Sequence, residues 1–232
     1  LESNSNEYIN SINLMLDSPK MLSINISLFK KLYGSKLKQE NIKFLIQEAK
    51  QEILKHYTSH DIAHIIINNY RIDGNDYSSL PDEVECHFIS LDIIFICLPT
   101  DLILYFKEVF SRSNILIDQI ICTSYAKSIN YKNNLRLSGH VSFIDIGFNK
   151  TSVTTYLNEK IISIDVLPIG GNHITKDISK ILEIDLEKSE NAKVNFDENP
   201  KILNKQNKSL DILQKIIFAR IEEILELCNK SI

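Results

Sequence analysis

The chain has 232 residues, 44% of them apolar, with 26 basic against 30 acidic side chains and a formal net charge of −4. That length supports a sizeable core in one large domain or two small ones. The slightly acidic balance, with basic and acidic residues interleaved, argues against nucleic acid as an electrostatically driven partner. The four cysteines, Cys86, Cys97, Cys122 and Cys228, have no CxxC spacing, and three sit in apolar runs. They read as buried free thiols of a reducing compartment. The apolar runs "FISLDIIFICLP" and "ILIDQIIC" fall short of the ~20 residues of a membrane span, and no signal peptide opens the chain. A start at "LESNSN" without methionine, and a stop directly after a long amphipathic pattern, lead us to expect a piece of a longer protein.

In chain order, "NEYINSINLMLD" predicts a short helix and "KMLSINIS" a strand. "LKQENIKFLIQEAKQEILKHY" predicts the first long helix, with Ile42, Leu45, Ile46, Ala49, Ile53 and Leu54 on one face. "IAHIIINNYRID" and "EVECHFISLDIIFICLP" predict strands, separated by the turn chemistry of "GNDYSSLPD". "TDLILYFKEVFSRS" follows as a helix with Thr100 as its N-cap. The order from 20 to 113 is therefore strand, helix, strand, strand, helix, a compact α+β unit.

Beyond it, "NILIDQIIC" predicts a buried strand and "TSYAKSINY" a short helix. Three strands follow, "HVSFIDIG", "TSVTTYLNE" and "KIISIDVLPIG", the last two joined by a two-residue hairpin at Asn158 and Glu159 that lacks the favoured Asn-Gly form. "GNHITKDISKILE" and "LEKSENAKVNF" predict helices, "DENPKILNKQNK" a polar loop. The last helix, "SLDILQKIIFARIEEILELC", aligns Leu213, Ile217, Ile221, Ile224 and Cys228 as a core or interface stripe. We place the boundary near residue 113, giving units 1–113 and 114–232.

Three stretches carry chemistry. Asp145, at a strand end beside Gly147, has the placement to hold a hydrated Mg²⁺, and Gly147 lets backbone approach a phosphate. Alone, this Asp-x-Gly reads more readily as a plain hairpin. Gly170 and Gly171, closing a strand and opening a helix, can turn backbone N–H groups toward an anion. Glu190 and Lys193, at i,i+3, can bond ribose hydroxyls or form an ordinary surface pair. His56, His60 and His64 recur every four residues, but "HYTSHD" breaks the helix between them, which argues against a metal site. Ser142 and Ser152 have no readable His-Asp partners.

The succession "FIDIG...TSV", "LPIGGNHITKDI" and "SENAKV" resembles the actin-like ATPase superfamily, and within it the bacterial cell-division family FtsA, whose pattern runs approximately IDIGGGTTD, IPxGGxxxTxDIA and AExxKV. Asp145, Gly147, Thr151, Gly170, Gly171, Thr175, Asp177, Ile178, Glu190, Lys193 and Val194 fall in step with it, and "ARIEEILELC" is similar to the family's PRxEEIxEL helix. The resemblance implies an α/β, actin-like (ribonuclease H-like) cleft with an inserted subdomain 1C (SHS2) over 1–113 and a 2A subdomain with a reduced 2B region over 114–232. It implies a nucleotide site at Asp145, Gly147, Asn149, Lys150, Thr151, Gly170, Gly171, Asn172, Glu190 and Lys193, with Asp145 toward the metal. It also implies an adaptor that self-associates, links filaments of the tubulin-like FtsZ to the cytoplasmic membrane through a tail outside this chain, and recruits later division proteins through 1C.

The departures are specific. Phe148 and Asn149 replace the family's two glycines, Lys150 its next threonine and Ser152 its closing acidic residue. The position that orients the attacking water in such enzymes falls at about Thr123. The first phosphate loop would lie before residue 1 and the adenosine-contacting turn after residue 232. Weak or absent hydrolysis is therefore expected, with ATP and Mg²⁺ held, if at all, only by a longer protein. Two other classes stay open: a pilus-assembly scaffold of the PilM kind, which binds a short peptide of a membrane partner, and a competent actin-fold ATPase or sugar kinase.

Overall fold

The computed structural model describes residues 8–81, 84–196 and 208–232. It contains three sheets. β1 (Ser11–Leu16) pairs in parallel with β6 (Leu116–Cys122). β2 (Leu22–Lys36), β5 (Glu85–Pro99), β3 (His60–Ile72) and β4 (Asn75–Tyr77) form an antiparallel sheet in the order β2-β5-β3-β4. β7 (His140–Ile146), β8 (Thr151–Leu157) and β9 (Lys160–Leu167) form an antiparallel meander. The helices are α1 (Gln39–His56), α2 (Thr100–Ser111), α3 (Thr123–Leu135), α4 (Gly171–Leu182), α5 (Leu186–Val194) and α6 (Lys208–Lys230).

The helix expected from "NEYINSINLMLD" is instead the strand β1. Ile12, Leu14 and Leu16 alternate, and the partner that favours the extended form is β6, about a hundred residues away in sequence. The boundary expected at 113 thus separates two strands of one sheet. β6 is also less buried than expected: Leu116 is exposed and Cys122 alone is fully buried. The turn expected between β3 and β5 includes the short strand β4. Thr100 is the first residue of α2 rather than its N-cap, which is Pro99, and the Leu102 amide donates to Asp101 Oδ1 at 2.8 Å. Most of the loop expected over 197–208 lies outside the described residues.

β5 is the spine of the first unit. Its side chains alternate between two covered faces, which is why its second half is continuously apolar. Ile89, Leu91, Ile93, Phe95 and Cys97 pack on the α1 side with Leu45, Ala49 and Ile53. On the other face Ile94 and Ile96 meet Tyr156, Ile161 and Ile164 of the β8–β9 hairpin, with Cys122 in the same cluster. Polar bonds border this contact: Asn68 Nδ2 donates to the Ile161 carbonyl at 2.7 Å and Lys160 Nζ to Asn69 Oδ1 at 3.0 Å. The hairpin that carries it turns at Asn158 (φ 48°) and Glu159 (φ 69°), the two positive φ values of a type I′ turn, reached without glycine.

α4 and α6 share a further cluster of Ile174, Ile178, Leu213, Ile216 and Ile217. Ile224 and Cys228 continue the α6 stripe onto Val153 and Ile169, as its spacing predicted. Arg220 Nε donates to Asp177 Oδ2 at 2.6 Å and fixes α6 along α4. Among the described residues no helix is long and apolar enough to cross a membrane.

All four cysteines are free and buried. Burial, reinforced by nearby Asp17, pushes the Cys122 thiol up to about 12, and burial brings Cys97 up to about 11. Neither is a nucleophile near neutral pH.

Candidate functional site

β7 ends at Ile146, and residues Gly147 to Lys150 turn the chain into β8. The turn closes on itself, with the Gly147 N–H donating to the Lys150 carbonyl at 2.9 Å. β9 then delivers Gly170 and the start of α4 directly beneath it. This approach is close enough that a Cβ on Gly170 would lie 2.4 Å from the Gly147 oxygen and 2.9 Å from both the Lys150 nitrogen and the Phe148 oxygen. Gly170 is therefore glycine for close backbone contact, whereas Gly171 has only ordinary neighbours.

The N-terminus of α4 has no vacant amide among its leading donors. The Gly171 N–H donates to the Gly147 carbonyl at 2.9 Å, the Asn172 N–H to the Phe148 carbonyl at 2.7 Å, and the His173 N–H to the Gly170 carbonyl at 2.9 Å. The Gly170 N–H meets His173 Nδ1 at 3.1 Å. A helix start that would ordinarily attract an anion is capped by the neighbouring loop. Asn172 Nδ2 and Asn149 Oδ1, 2.8 Å apart, add a side-chain bond across the same seam.

The other predicted residues are brought together in part. Thr151 is fully buried, and its hydroxyl donates to the Ile169 carbonyl at 2.8 Å, tying β8 to the end of β9 rather than facing a cleft. Asp145 lies at the cleft, where Lys127 Nζ of α3 sits 2.6 Å from its Oδ2. That bond raises the Lys127 ammonium above its ordinary range. Lys150 Nζ donates to the backbone carbonyl of Asp17 at 2.6 Å. Glu190 and Lys193 pair at 2.7 Å beside the start of α4. Both also reach the Thr175 hydroxyl, and Lys193 reaches the Gly171 carbonyl, so the pair pins α5 on the first turn of α4. The ammonium and the Thr175 hydroxyl hold the Glu190 carboxyl below the usual carboxylate range.

A cleft of about 340 Å³ opens in front of the turn, lined by Asp17, Thr123, Lys127, Asp145, Phe148 and Lys150 among others. Phe148 borders it while remaining 60% exposed. Lys127 and Asp17 were not legible as site residues. Asp17 stands at the end of β1, where its carboxylate accepts the Ser124 N–H at 3.0 Å and so caps α3 from a distant part of the chain. Their signal was weak: a lone lysine four residues into a helix, and an aspartate closing a run read as helical.

A Mg²⁺-nucleotide complex does not fit these residues as they stand. The carboxylate that would face the metal is paired with an ammonium, the threonine hydroxyl is buried on a carbonyl, and the amides of α4 are bonded within the chain. Among the described residues no group of three or more His, Cys, Asp or Glu is placed to hold a metal ion. The three histidines separate accordingly. His56 approaches Glu52 at 3.5 Å, His60 Nε2 contacts the Lys20 carbonyl at 2.9 Å, and His64 Nε2 accepts the Cys122 N–H at 2.8 Å.

His64 also packs on Tyr125, ring centres 5.1 Å apart, and burial lowers its pKa from 6.5. The folded state therefore binds fewer protons than the unfolded state, and this stabilisation is complete above 6.5 and lost as pH falls through the depressed folded value. In urea titrations we expect the stability of the native chain to fall below pH 6.5 relative to His64→Gln, whose amide oxygen can still accept the Cys122 bond without titrating. Parallel pH profiles would refute this assignment.

A chain of the solved PilM-PilN type IV pilus biogenesis complex superposes on 97% of this chain and 59% of its own, with a TM-score of 0.65 at 12% identity. The fold is of the actin-like class. A family model described as "Cell division protein FtsA" matches residues 142–220, from β7 into α6. The FtsA of Buchnera aphidicola subsp. Schizaphis graminum is 25% identical over 211 residues, covering 84% of this chain and 50% of that protein. The FtsA of Streptococcus pneumoniae is 27% identical over 134 residues, 52% of this chain and 29% of that protein. The chain is thus similar to FtsA proteins, and it spans about half the length of the Buchnera relative.

Proposed function

We propose that this chain is part of a cell-division adaptor of the FtsA type, a scaffold rather than an ATPase. In this reading the intact protein works at the cytoplasmic face of the membrane at the division site, within the divisome that builds the septum. It associates with itself, holds FtsZ filaments near the membrane through a tail outside this chain, and recruits later division proteins through the β2–β5 unit, the counterpart of 1C. α5 and α6 are the remnants of the 2B surface on which the FtsZ tail peptide docks.

The observation that carries the scaffold reading is the set of amides at the start of α4, each bonded to an acceptor of the chain itself. Phosphoryl transfer depends on positioned donors and a held metal, and here both positions have internal partners. Any nucleotide bound by the intact protein then acts as a structural ligand, with slow or absent hydrolysis.

A second reading has one specific support, the coverage of 97% of this chain by the pilus-complex fold: a PilM-like scaffold that holds a peptide. Fluorescence anisotropy on the intact gene product separates the two. We expect the FtsZ tail peptide to bind with micromolar affinity, roughly −8 kcal/mol, and a PilN peptide not to bind. The reverse preference, or binding of neither, overturns the FtsA-type assignment.

A further inference from the structure

The mismatch between the cleft and a Mg²⁺-nucleotide complex has a structural counterpart in two lysines that reach into it. We infer that Lys127 and Lys150 form a latch that ties the walls of the cleft together in place of a metal and nucleotide, an inference that rests on the scaffold reading of the same site.

Lys127 crosses from α3 to the end of β7, its Nζ 2.6 Å from Asp145 Oδ2. Lys150 crosses the other way, from the β7–β8 turn to the Asp17 carbonyl at the end of β1, also at 2.6 Å. Asp17 joins the two sides, since its carboxylate caps α3 through the Ser124 amide, and Ser124 Oγ lies 3.3 Å from the same group. The ends of β1 and β7, the start of α3 and the turn thus converge on two ammonium groups and two carboxylates.

The charge count supports the exchange. Lys127, Lys150, Asp17 and Asp145 are the charged side chains lining the cleft, two of each sign. Two ammonium groups bring the formal charge of one Mg²⁺, and the two carboxylates already balance it. No excess charge remains to draw in a cation or a phosphate. Mg²⁺ requires a near-octahedral oxygen shell, and the Lys127 ammonium occupies the approach to the carboxylate oxygen it would use. The Lys127–Asp145 pair is about half exposed on both sides, and such a pair alone contributes little. Closure therefore depends on both lysines acting together with the Asp17 cap.

Hydrogen-exchange mass spectrometry on the 232-residue chain tests this, following peptides that contain the amides of Gly147, Gly171 and Asn172. In Lys127→Met/Lys150→Met, exchange at these amides should quicken roughly tenfold or more, the effect of about 1.4 kcal/mol of lost closure. The exposed control Lys176→Met should match the wild type, and millimolar Mg-ADP should leave wild-type exchange unchanged. Wild-type exchange in the folded double variant overturns the latch while leaving the scaffold reading intact. Slowing of wild-type exchange by Mg-ADP overturns the replacement, because the cleft then still takes a metal and nucleotide, whereas the scaffold reading is overturned only by rapid ATP turnover of the intact protein. If the double variant does not fold, the single variants are read the same way, and wild-type exchange in both overturns the latch.

Discussion

Gly170→Ala should lower the thermal midpoint of the chain by roughly 6–12 °C, whereas Gly171→Ala, one residue further on, should leave it nearly unchanged. The two substitutions add the same methyl group, and their surroundings decide the difference. At Gly170 the new Cβ would sit 2.4 Å from one backbone oxygen and 2.9 Å from two other backbone atoms, none of which can rotate away. Relief requires the β7–β8 turn to lift from α4, which breaks the bonds from the Gly171 and Asn172 amides to the turn carbonyls. Overpacking typically costs about 1–3 kcal/mol and each lost hydrogen bond about 1 kcal/mol. A total near 3 kcal/mol corresponds to the stated shift at ~2–4 °C per kcal/mol for a chain of this size. At Gly171 the nearest atoms are the flexible end of Lys193 at 3.6 Å and the Gly147 oxygen at 3.7 Å, ordinary contacts, and alanine favours the helix there. Equal midpoints in calorimetry for the two variants would show that the turn does not rest on α4 in solution.

That pair of glycines also marks how far the sequence could be read. Gly147, Gly170 and Gly171 read as positions that bring backbone toward a phosphate or an anion; in the structure Gly147 and Gly170 are in close backbone contact, while Gly171 has ordinary neighbours. What approaches them is the chain itself: the partners of the Gly171 and Asn172 amides are carbonyls more than twenty residues upstream, set by the meander rather than by any local pattern. Lys127 was illegible for the same reason, since its meaning depends on α3 lying beside the end of β7. β1 shows the limit for secondary structure. Its apolar residues fit helical and alternating spacing alike, and the deciding term was a parallel partner at Leu116–Cys122. Where the pattern was long and unambiguous, as in α1, β5 and α6, local periodicity and final packing agree. The positive φ values at Asn158 and Glu159 show the opposite case, in which hairpin closure and the Tyr156–Ile161 contact with β5 impose a turn that the residues themselves do not favour.

Phe95→Ala should destabilise the chain by about 3–5 kcal/mol, a fifth or more of the roughly 5–15 kcal/mol that holds an ordinary domain together. Phe95 is fully buried on β5, among the largest such side chains of the protein. β5 is hydrogen-bonded to β2 on one side and β3 on the other, pairing Phe95 with Ile24 and Ile65. Its backbone therefore cannot move to fill the space that the ring leaves. The helix above has little freedom either, since Leu45, Ala49 and Ile53 of α1 pack on the same cluster. The vacated volume should persist as a cavity, which is why the upper part of the large-to-small range applies. Phe95→Leu retains most of the volume and should cost about 1.5 kcal/mol. Urea titrations of the three proteins should give shifted midpoints at a common slope, because the surface exposed on unfolding is nearly the same. A loss below about 1 kcal/mol for the alanine variant would mean that the sheet and α1 can close over the gap, and that β5 is not the rigid spine on which the β8–β9 hairpin, and with it the cleft, is mounted.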